Sequence, residues 1–201
     1  YEKLNGVISL SLRNNHFDYL GVQDLANSPF LKNLTSLNLM SNAVGDKGLL
    51  LLAESPNLSQ LESLNLESTG ITALGILALS ESAHLNRLRE INLCGNDLRE
   101  KGLRILASSG NFKNLVKLRV SGVPVGDSGF QALVRSHTLS KLEELEIMGN
   151  TITRKSLDSL VSTSRLDQLK KLDLRRNKLK EADLIFLADS PKFQDLDVLR
   201  F

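Results

Sequence analysis

The sequence repeats itself every 27 residues, with no insertion or deletion between one block and the next. Seven complete blocks begin at Val7, Leu34, Leu61, Leu88, Leu115, Leu142 and Leu169, and a truncated block begins at Leu196. Because self-similarity at a fixed period indicates one stacked array, we predict a single array over residues 1–201. The chain starts inside one block and stops inside another, so we expect it to be a fragment of a longer protein.

Each block divides into a strand half and a helix half, as the second block shows. Leu37 and Leu39 alternate with polar neighbours, which predicts a short strand with one buried face. Leu49, Leu52 and Ala53 follow at spacings of three and four, which predicts a helix with one buried stripe. A Ser-Pro pair then ends the helix, because proline cannot continue it. Such a unit cannot bury its apolar side alone, so the blocks must stack on one another.

An asparagine recurs at a fixed offset after the predicted strand, where the chain turns inward. The residues of this column are Asn15, Asn42, Asn96, Asn150 and Asn177. A buried carboxamide can satisfy the backbone groups that the turn leaves unpaired, so we predict a hydrogen-bonded ladder along the stack. Thr69 can supply part of this bonding. Val123 can supply none, and Pro124 removes a backbone donor, so we predict an irregular turn there.

Small and acidic residues recur where each predicted helix begins. The glycine column, where we expect a close approach or an unusual dihedral angle, comprises Gly21, Gly48, Gly75, Gly102 and Gly129. Ser156 and Asp183 interrupt the column, so we expect the last two helices to begin differently. Asp46 and Asp127 lie beside these glycines in GDKG and GDSG, and we interpret them as carboxylates at positive helix ends.

The pattern LxxLxLxxNxL resembles the leucine-rich repeat, and a helical half of this length resembles its ribonuclease-inhibitor-like class. The wording N-x-[VIL]-x-D/E-x-G-L-x-x-L-A-x-S-P is similar to leucine-rich repeat proteins from bacteria. The resemblance implies an α/β fold, a right-handed horseshoe solenoid with a parallel sheet on the concave face and helices on the convex face. It also implies a non-enzymatic scaffold that binds a partner protein, such as a bacterial effector or a substrate-recognition module.

The outward strand positions predict where that partner binds. The first blocks place small neutral residues there, whereas the later blocks place charges of alternating sign. A self-compensating charge ladder that keeps the sheet soluble is the alternative explanation. Arg119 and Met148 are the expected anchors, because arginine and methionine are enriched at interfaces. The candidate partner-binding residues are Asn38, Met40, Asn65, Glu67, Asn92, Lys117, Arg119, Glu144, Glu146, Met148, Lys171, Asp173, Arg175 and Arg176.

Charge is distributed unevenly, although the net charge is only +2. The segment Lys170–Lys180 gathers six basic side chains, of which Lys171, Arg175 and Arg176 are expected on or beside the concave edge. An acidic partner surface and an ordinary solvated charge run both explain this basic segment. We expect no nucleic acid, because no aromatic residue interleaves to stack on bases.

Residues for catalysis or cofactor binding are missing from the pattern. His16, His84 and His137 fall in different columns, and Cys94 has no histidine beside it, so we expect no metal, cofactor or small-molecule substrate. The longest apolar run, Gly48–Ala53, is far shorter than the ~20 residues of a membrane span, so we expect no membrane partner. A single cysteine is typical of a reducing compartment. We therefore expect the cytoplasm, or a host cell if the protein is bacterial.

Two other functions stay open at the level of sequence. The first is a regulator of a small GTPase, as in leucine-rich repeat activators, with Arg99 and Arg154 in the loops after the strands as candidate groups. The second is a structural arm that joins flanking domains or assembles through its ends, since repeat arrays need polar terminal caps and none is evident.

Overall fold

A computed structural model of the chain describes residues 6–191 and 194–201. Within these residues, short strands alternate with helices along the whole chain. The strands are β1 (Ser9–Ser11), β2 (Ser36–Asn38), β3 (Ser63–Asn65), β4 (Glu90–Asn92), β5 (Lys117–Arg119), β6 (Glu144–Glu146), β7 (Lys171–Asp173) and β8 (Val198–Arg200). The α-helices are α1 (Tyr19–Asn27), α2 (Gly45–Ala53), α3 (Ala73–Glu81), α4 (Arg99–Ser108), α5 (Gly126–Val134), α6 (Arg154–Thr163) and α7 (Glu181–Ala188). Single 3-10 turns follow α1, α2 and α4, at Pro29–Leu31, Pro56–Leu58 and Gly110–Phe112.

The strands form one parallel sheet in chain order, from β1 to β8. Equivalent residues pair in register, so that Leu37 of β2 lies between Leu10 of β1 and Leu64 of β3. Each strand–helix unit, called a coil below, therefore contacts its neighbours in the stack. This arrangement confirms the predicted α/β solenoid.

The hydrophobic core lies between the sheet and the helices. Leu37 and Leu39 are at most 1% exposed, and Leu49 and Leu52 of α2 are fully buried. Both halves of the block thus bury the side that their periodicity predicts. The helices cover this side of the sheet, so the first and third residues of each strand point away from them.

The predicted asparagine ladder is confirmed. Asn42 donates from Nδ2 to the carbonyls of Leu39 in its own coil and Leu12 in the preceding coil, both at 2.9 Å. Its Oδ1 accepts the backbone N–H of Phe17, also in the preceding coil, at 3.1 Å. Asn96, Asn150 and Asn177 bridge their preceding coils in the same way. Each of these four carboxamides therefore holds two coils together through otherwise unpaired backbone groups, whereas Asn15 is exposed and bonds only its own coil.

The turn at Val123 and Pro124 is irregular, as predicted. Asn150 accepts the N–H of Val123 at 2.9 Å, but the N–H of Val125 turns back to the Val123 carbonyl at 2.7 Å. The equivalent amide of Ile152 instead bonds Asn177. Pro124 has no N–H, whereas its equivalent Asp97 donates to the preceding coil. The loss of one donor thus changes the hydrogen bonding of the whole turn.

The glycine column marks a close approach between helices. A Cβ on Gly48 would lie 2.8 Å from Val44 Cγ1 and 3.5 Å from the Cα of Tyr19 in α1. The expectation that Ser156 and Asp183 change the start of their helices is confirmed in the hydrogen bonding, although Thr72 before α3 and Thr153 before α6 are both extended. Gly75 donates its N–H to Asp46 of the preceding coil, whereas Ser156 donates its N–H to the Thr153 carbonyl and its hydroxyl to Asp127. Asp183 instead accepts the N–H of Lys180 in its own coil at 2.8 Å.

The two GDxG carboxylates lie in the first turn of their own helices, as interpreted from the sequence, but their hydrogen bonds go to the next coil. Asp46, at the start of α2, accepts the N–H groups of Thr72 and Gly75 at the start of α3, each at 2.8 Å. Asp127 accepts the N–H of Thr153 at 2.8 Å and also bonds the Ser156 hydroxyl of α6. Each carboxylate therefore caps the helix of the following coil, which the sequence did not predict.

Candidate functional site

The concave face consists of the strand side chains that point away from the helices, together with the residue two positions after each strand. Register places equivalent residues side by side, so Lys117 of β5 lies between Glu90 and Glu144, and Arg119 lies between Asn92 and Glu146. The candidate residues of the later coils are thereby brought together on adjacent strands. Those of the first coils form an adjoining region that is neutral at Asn38, Met40 and Asn65 and charged only at Glu67.

The asparagines of the concave face bond the backbone just after their own strands. The side-chain oxygen of Asn38 accepts the N–H of Met40 at 3.0 Å, and that of Asn65 accepts the N–H of Glu67 at 3.0 Å. Asn92 repeats this bond with Cys94 and donates to the Glu67 carboxylate at 2.9 Å. These asparagines therefore bond the first backbone N–H groups beyond their strands. The repeat pattern did not predict this bonding, although asparagine commonly bonds the backbone two residues on.

Two candidate residues are covered. Asn92 is 9% exposed and Asp173 is 5% exposed, so a partner could reach little of either side chain. The Asp173 carboxylate is enclosed by Arg175 at 2.6 Å and Arg200 at 3.6 Å. Burial acts to raise the pKa of Asp173, but the hydrogen bonds and charge of Arg175 hold that pKa below its usual value.

The charges of the later coils pair across the strands. Lys117 Nζ lies 3.1 Å from Glu90 Oε1, and this hydrogen bond raises the pKa of the lysine. Lys171 Nζ lies 2.9 Å from Glu144 Oε1, and its hydrogen bond lowers the pKa of that glutamate. Arg119 Nε lies 3.1 Å from Glu146 Oε1, with about half of the arginine side chain still exposed. The alternating charges therefore form the self-compensating ladder that the sequence allowed, while the paired groups stay partly accessible.

A depression of about 370 Å³ lies at the far end of the ladder. Its polar lining is formed by Arg119, Glu144, Glu146, Lys171, Asp173 and Arg200. A smaller depression of about 90 Å³ lies beside it, between Asn65, Asn92 and Lys117. Arg200 was not among the residues predicted for this face. The 27-residue period places it in the column of Asp173, with which it pairs in register, so the sequence contained this signal.

Comparison with known proteins agrees with this architecture. A family model described as a leucine-rich repeat matches residues 30–53 and 58–80. The structure of internalin C2 from Listeria monocytogenes is similar to this chain, with 22% sequence identity and a TM-score of 0.58. The match covers 98% of this chain and 82% of that one. No curated protein matches the sequence.

The chain has the leucine-rich repeat fold. Matches to 195 chains of solved structures show how widely the fold is used, so the fold alone does not select a partner. Leucine-rich repeat proteins act in general as protein-interaction modules, typically without enzymatic activity. Repeat solenoids of this kind present an extended concave surface for binding.

The residues two positions after each strand form the third column of the concave face, and they include thioether, thiol and guanidinium groups. Met40, Cys94 and Met148 are each half-buried, whereas Arg175 is exposed. Cys94 Sγ accepts the backbone N–H of Ser121 at 3.2 Å. Burial raises the pKa of the Cys94 thiol, so the group is not activated as a nucleophile.

The basic segment Lys170–Lys180 is divided between two environments. Lys170, Lys171 and Arg175 bond Glu143, Glu144 and Asp173 respectively. Arg176 lies in the turn after β7, with a positive φ of 57°, and its side chain is exposed. Arg176 therefore lies beside the concave face rather than on it.

The two arginines considered for GTPase regulation do not lie in loops. Arg99 is the first residue of α4 and Arg154 is the first residue of α6. Arg99 Nε bonds Asp97 at 3.0 Å. Arg154 bonds Asp158 and Asp183 at 3.3 and 3.1 Å and stacks on the Phe186 ring at 3.7 Å. Both guanidinium groups are thus occupied within the chain, and this weakens the case for a catalytic arginine.

The histidines lie in separate parts of the solenoid, with His16 after β1, His84 after α3 and His137 after α5. Over residues 6–191 and 194–201, no cluster of three or more His, Cys, Asp or Glu side chains could hold a metal ion. In the same part of the chain, no helix is both long and apolar enough to cross a bilayer.

Proposed function

We propose that the concave face of the later coils binds a partner protein. The observation that carries the proposal is the depression of about 370 Å³ at the end of the charge ladder, where Arg119 and Glu146 meet Arg200. Met148 lies in the next concave column and supplies adaptable apolar contact. Paired charges that remain half-exposed favour specificity over affinity, because a partner must match their alternating pattern.

The proposed partner presents complementary charges and an apolar group for Met148. We do not assign a catalytic step to either protein. The similarity to internalin C2 favours a bacterial protein, and in that case a secreted effector or recognition module is the role we propose. Because the sequence has a single cysteine, we propose a reducing compartment as its location. This would be the cytoplasm of the producing cell or, for a secreted bacterial protein, that of a host cell.

The test compares affinity capture by the wild-type chain and by the combined variant Arg119→Ala, Glu146→Ala and Met148→Ala. We expect one captured protein to be lost from the variant. A control variant with Gln23→Ala and Gln131→Ala changes an exposed residue on α1 and a half-buried one on α5, both on the convex side, and should keep that protein. Equal capture by all three proteins would contradict the assignment to the concave face.

End-to-end assembly is a second candidate function, favoured by one orphan group. Ser55, Ser82 and Ser136 each donate their hydroxyl to a carbonyl at the end of the preceding coil's helix. The equivalent Ser28 hydroxyl is buried without a partner among the described residues. It borders an apolar depression of about 430 Å³ that contains Leu10, Leu12 and Phe17. A further coil stacked there would supply the missing carbonyl.

Light scattering over a range of concentrations tests this second candidate. Association through this end should be abolished by Leu12→Glu, because a carboxylate would be buried in the contact. A molecular mass that stays monomeric at every concentration would rule out assembly between copies through this end.

A further inference from the structure

The convex face carries an exposed apolar patch on α2 and α3, which we call the leucine patch. It consists of Leu50, Leu74 and Leu77, which are 43%, 61% and 38% exposed. No residue from Ala73 to Leu79 has a polar side chain, so this part of α3 is apolar on its solvent side as well as its core side. A solvent-facing helix of a soluble solenoid normally places polar residues there. The patch therefore needs an explanation beyond core packing.

The same positions on neighbouring helices show that the patch is local. The positions equivalent to Leu50 and Leu77 are Gln23 on α1, Arg104 on α4 and Gln131 on α5. Leu20 on α1 and both Leu184 and Ile185 on α7 are also exposed. Among the described residues, however, only α2 and α3 place exposed leucines, Leu50 and Leu77, at the same position of adjacent helices.

An acidic cleft adjoins the leucine patch. Between the ends of α2 and α3 lies a depression of about 340 Å³, formed by Leu50, Ala53, Ala78, Glu54, Glu81 and His84. Both glutamates are exposed, and among the described residues neither lies within ion-pair distance of a cation. The concave carboxylates Glu90, Glu144 and Glu146 are by contrast all paired.

The corresponding cleft between α4 and α5 has the opposite charge. It has a volume of about 520 Å³ and includes Arg104, Arg135 and His137. Arg104 pairs with Glu100, and Arg135 donates to the hydroxyls of Thr163 and Ser159. This cleft has the same position in the repeat but neither the exposed leucines nor the free carboxylates, so it serves as an internal control.

We propose that the leucine patch and the acidic cleft together form a second interaction surface, which binds a basic amphipathic helix of a partner protein. Apolar side chains on one face of that helix would cover the three leucines. Lysine or arginine side chains along its edge would extend their aliphatic stems over Leu50 and Ala78 and place their charges on Glu54 and Glu81. This surface does not depend on the concave face, and a partner could occupy both.

The test uses a fluorescently labelled helical peptide of leucine and lysine, with a matched peptide of leucine and glutamate as its control. Anisotropy titration should show binding of the lysine peptide only. The double variant Glu54→Lys and Glu81→Lys should weaken binding by about tenfold, since two rim charge pairs are lost. Leu77→Ser should weaken it as well, because the apolar contact is removed. These positions are exposed, so far-UV circular dichroism should show unchanged helix content.

Two control variants make the outcome specific. Arg104→Glu with Arg135→Glu changes the cleft between α4 and α5, and Arg119→Ala with Glu146→Ala changes the concave face; neither should alter peptide binding. Loss of binding in either control, equal binding of both peptides, or no binding at all would overturn the proposal. The variant Arg119→Ala with Glu146→Ala also separates the two proposals. It tests binding at the concave face without changing the leucine patch.

Sedimentation of the protein without peptide tests the other possible occupant. We expect that the leucine patch does not mediate self-association at any protein concentration. A dimer that Leu77→Ser abolishes would assign the leucine patch to a second copy of the chain and overturn the assignment to a partner helix.

Discussion

The carboxylate of Asp46 accepts both the backbone N–H and the hydroxyl of Thr72, at 2.8 and 2.6 Å. Asp46 belongs to α2, whereas Thr72 is the N-cap of the next helix, α3. The contact therefore joins two coils through a helix start, where free N–H groups need acceptors and the dipole favours negative charge. Asp127 and Thr153 repeat the contact between α5 and α6.

Replacing Asp46 by alanine should lower the free energy of unfolding by about 1–2 kcal/mol, the usual cost of losing a helix cap. Glu100→Ala is the matched control, since Glu100 is also the second residue of its helix but bonds only Arg104. The control should cost no more than about 0.5 kcal/mol. Urea denaturation followed by circular dichroism measures both values, and equal losses would refute the cross-coil cap.

The stability contributed by Asp127 should depend on pH. Burial acts to raise the pKa of this carboxyl, but hydrogen bonds from Ser156 and Thr153 outweigh burial and leave the pKa below its usual value. A lowered folded-state pKa stabilises the protein above the unfolded-state value of about 3.9, and this stabilisation is lost as the pH falls through the folded-state pKa. The stability difference between wild type and Asp127→Asn should be constant near neutral pH and shrink below about pH 4. Urea titrations across this range would show it, and a difference that grows on acidification would contradict the sign.

Asn150→Ala should be strongly destabilising. Asn150 is fully buried and bonds the backbone of Val120, Val123 and Met148. Its removal leaves these groups unsatisfied, at a cost of about 1–3 kcal/mol or more. Asn15→Ala is the control from the same column, because Asn15 is exposed and donates only to Leu12 and Arg13 of its own coil. Similar denaturation midpoints for the two variants would argue against a ladder between coils.

Gly149→Ala should destabilise the turn after β6. Gly149 has a φ of 68°, and a Cβ there would meet nothing closer than 3.9 Å, so strain in the backbone is the expected cause. A non-glycine residue in this left-handed conformation costs about 1–2 kcal/mol, partly offset by lower entropy of the unfolded chain.

Gly110→Ala provides the control for that prediction. Gly110 has no positive φ and its Cβ would enter open space, so the change should be neutral or stabilising by up to about 1 kcal/mol. The midpoint of thermal denaturation should therefore fall for Gly149→Ala and stay unchanged or rise for Gly110→Ala. A lower midpoint for Gly110→Ala than for Gly149→Ala would show that the turn conformation is not the cause.

The 27-residue period is enough to predict the stack. Because the period is constant, equivalent residues such as Leu37 and Leu64 must fall in one column, and periodicities of two and of three to four show which side each half buries. The ladder at Asn150 and the irregular turn at Val123 followed for the same reason, since both depend only on residue type at a repeated position. The candidate concave residues could therefore be placed on a face, though not shown to bind a partner.

Which side chains bond across coils could be read only from the three-dimensional arrangement. Lys117 has glutamates on both neighbouring strands, and the structure bonds it to Glu90 rather than Glu144, which takes Lys171 instead. The repeat pattern likewise did not predict the cap from Asp46 to α3 or the enclosure of Asp173 by two arginines. It also did not predict that Glu54 and Glu81 have no cationic partner among the described residues. Such contacts depend on side-chain rotamers and on the distance between neighbouring coils, and a one-dimensional period contains neither.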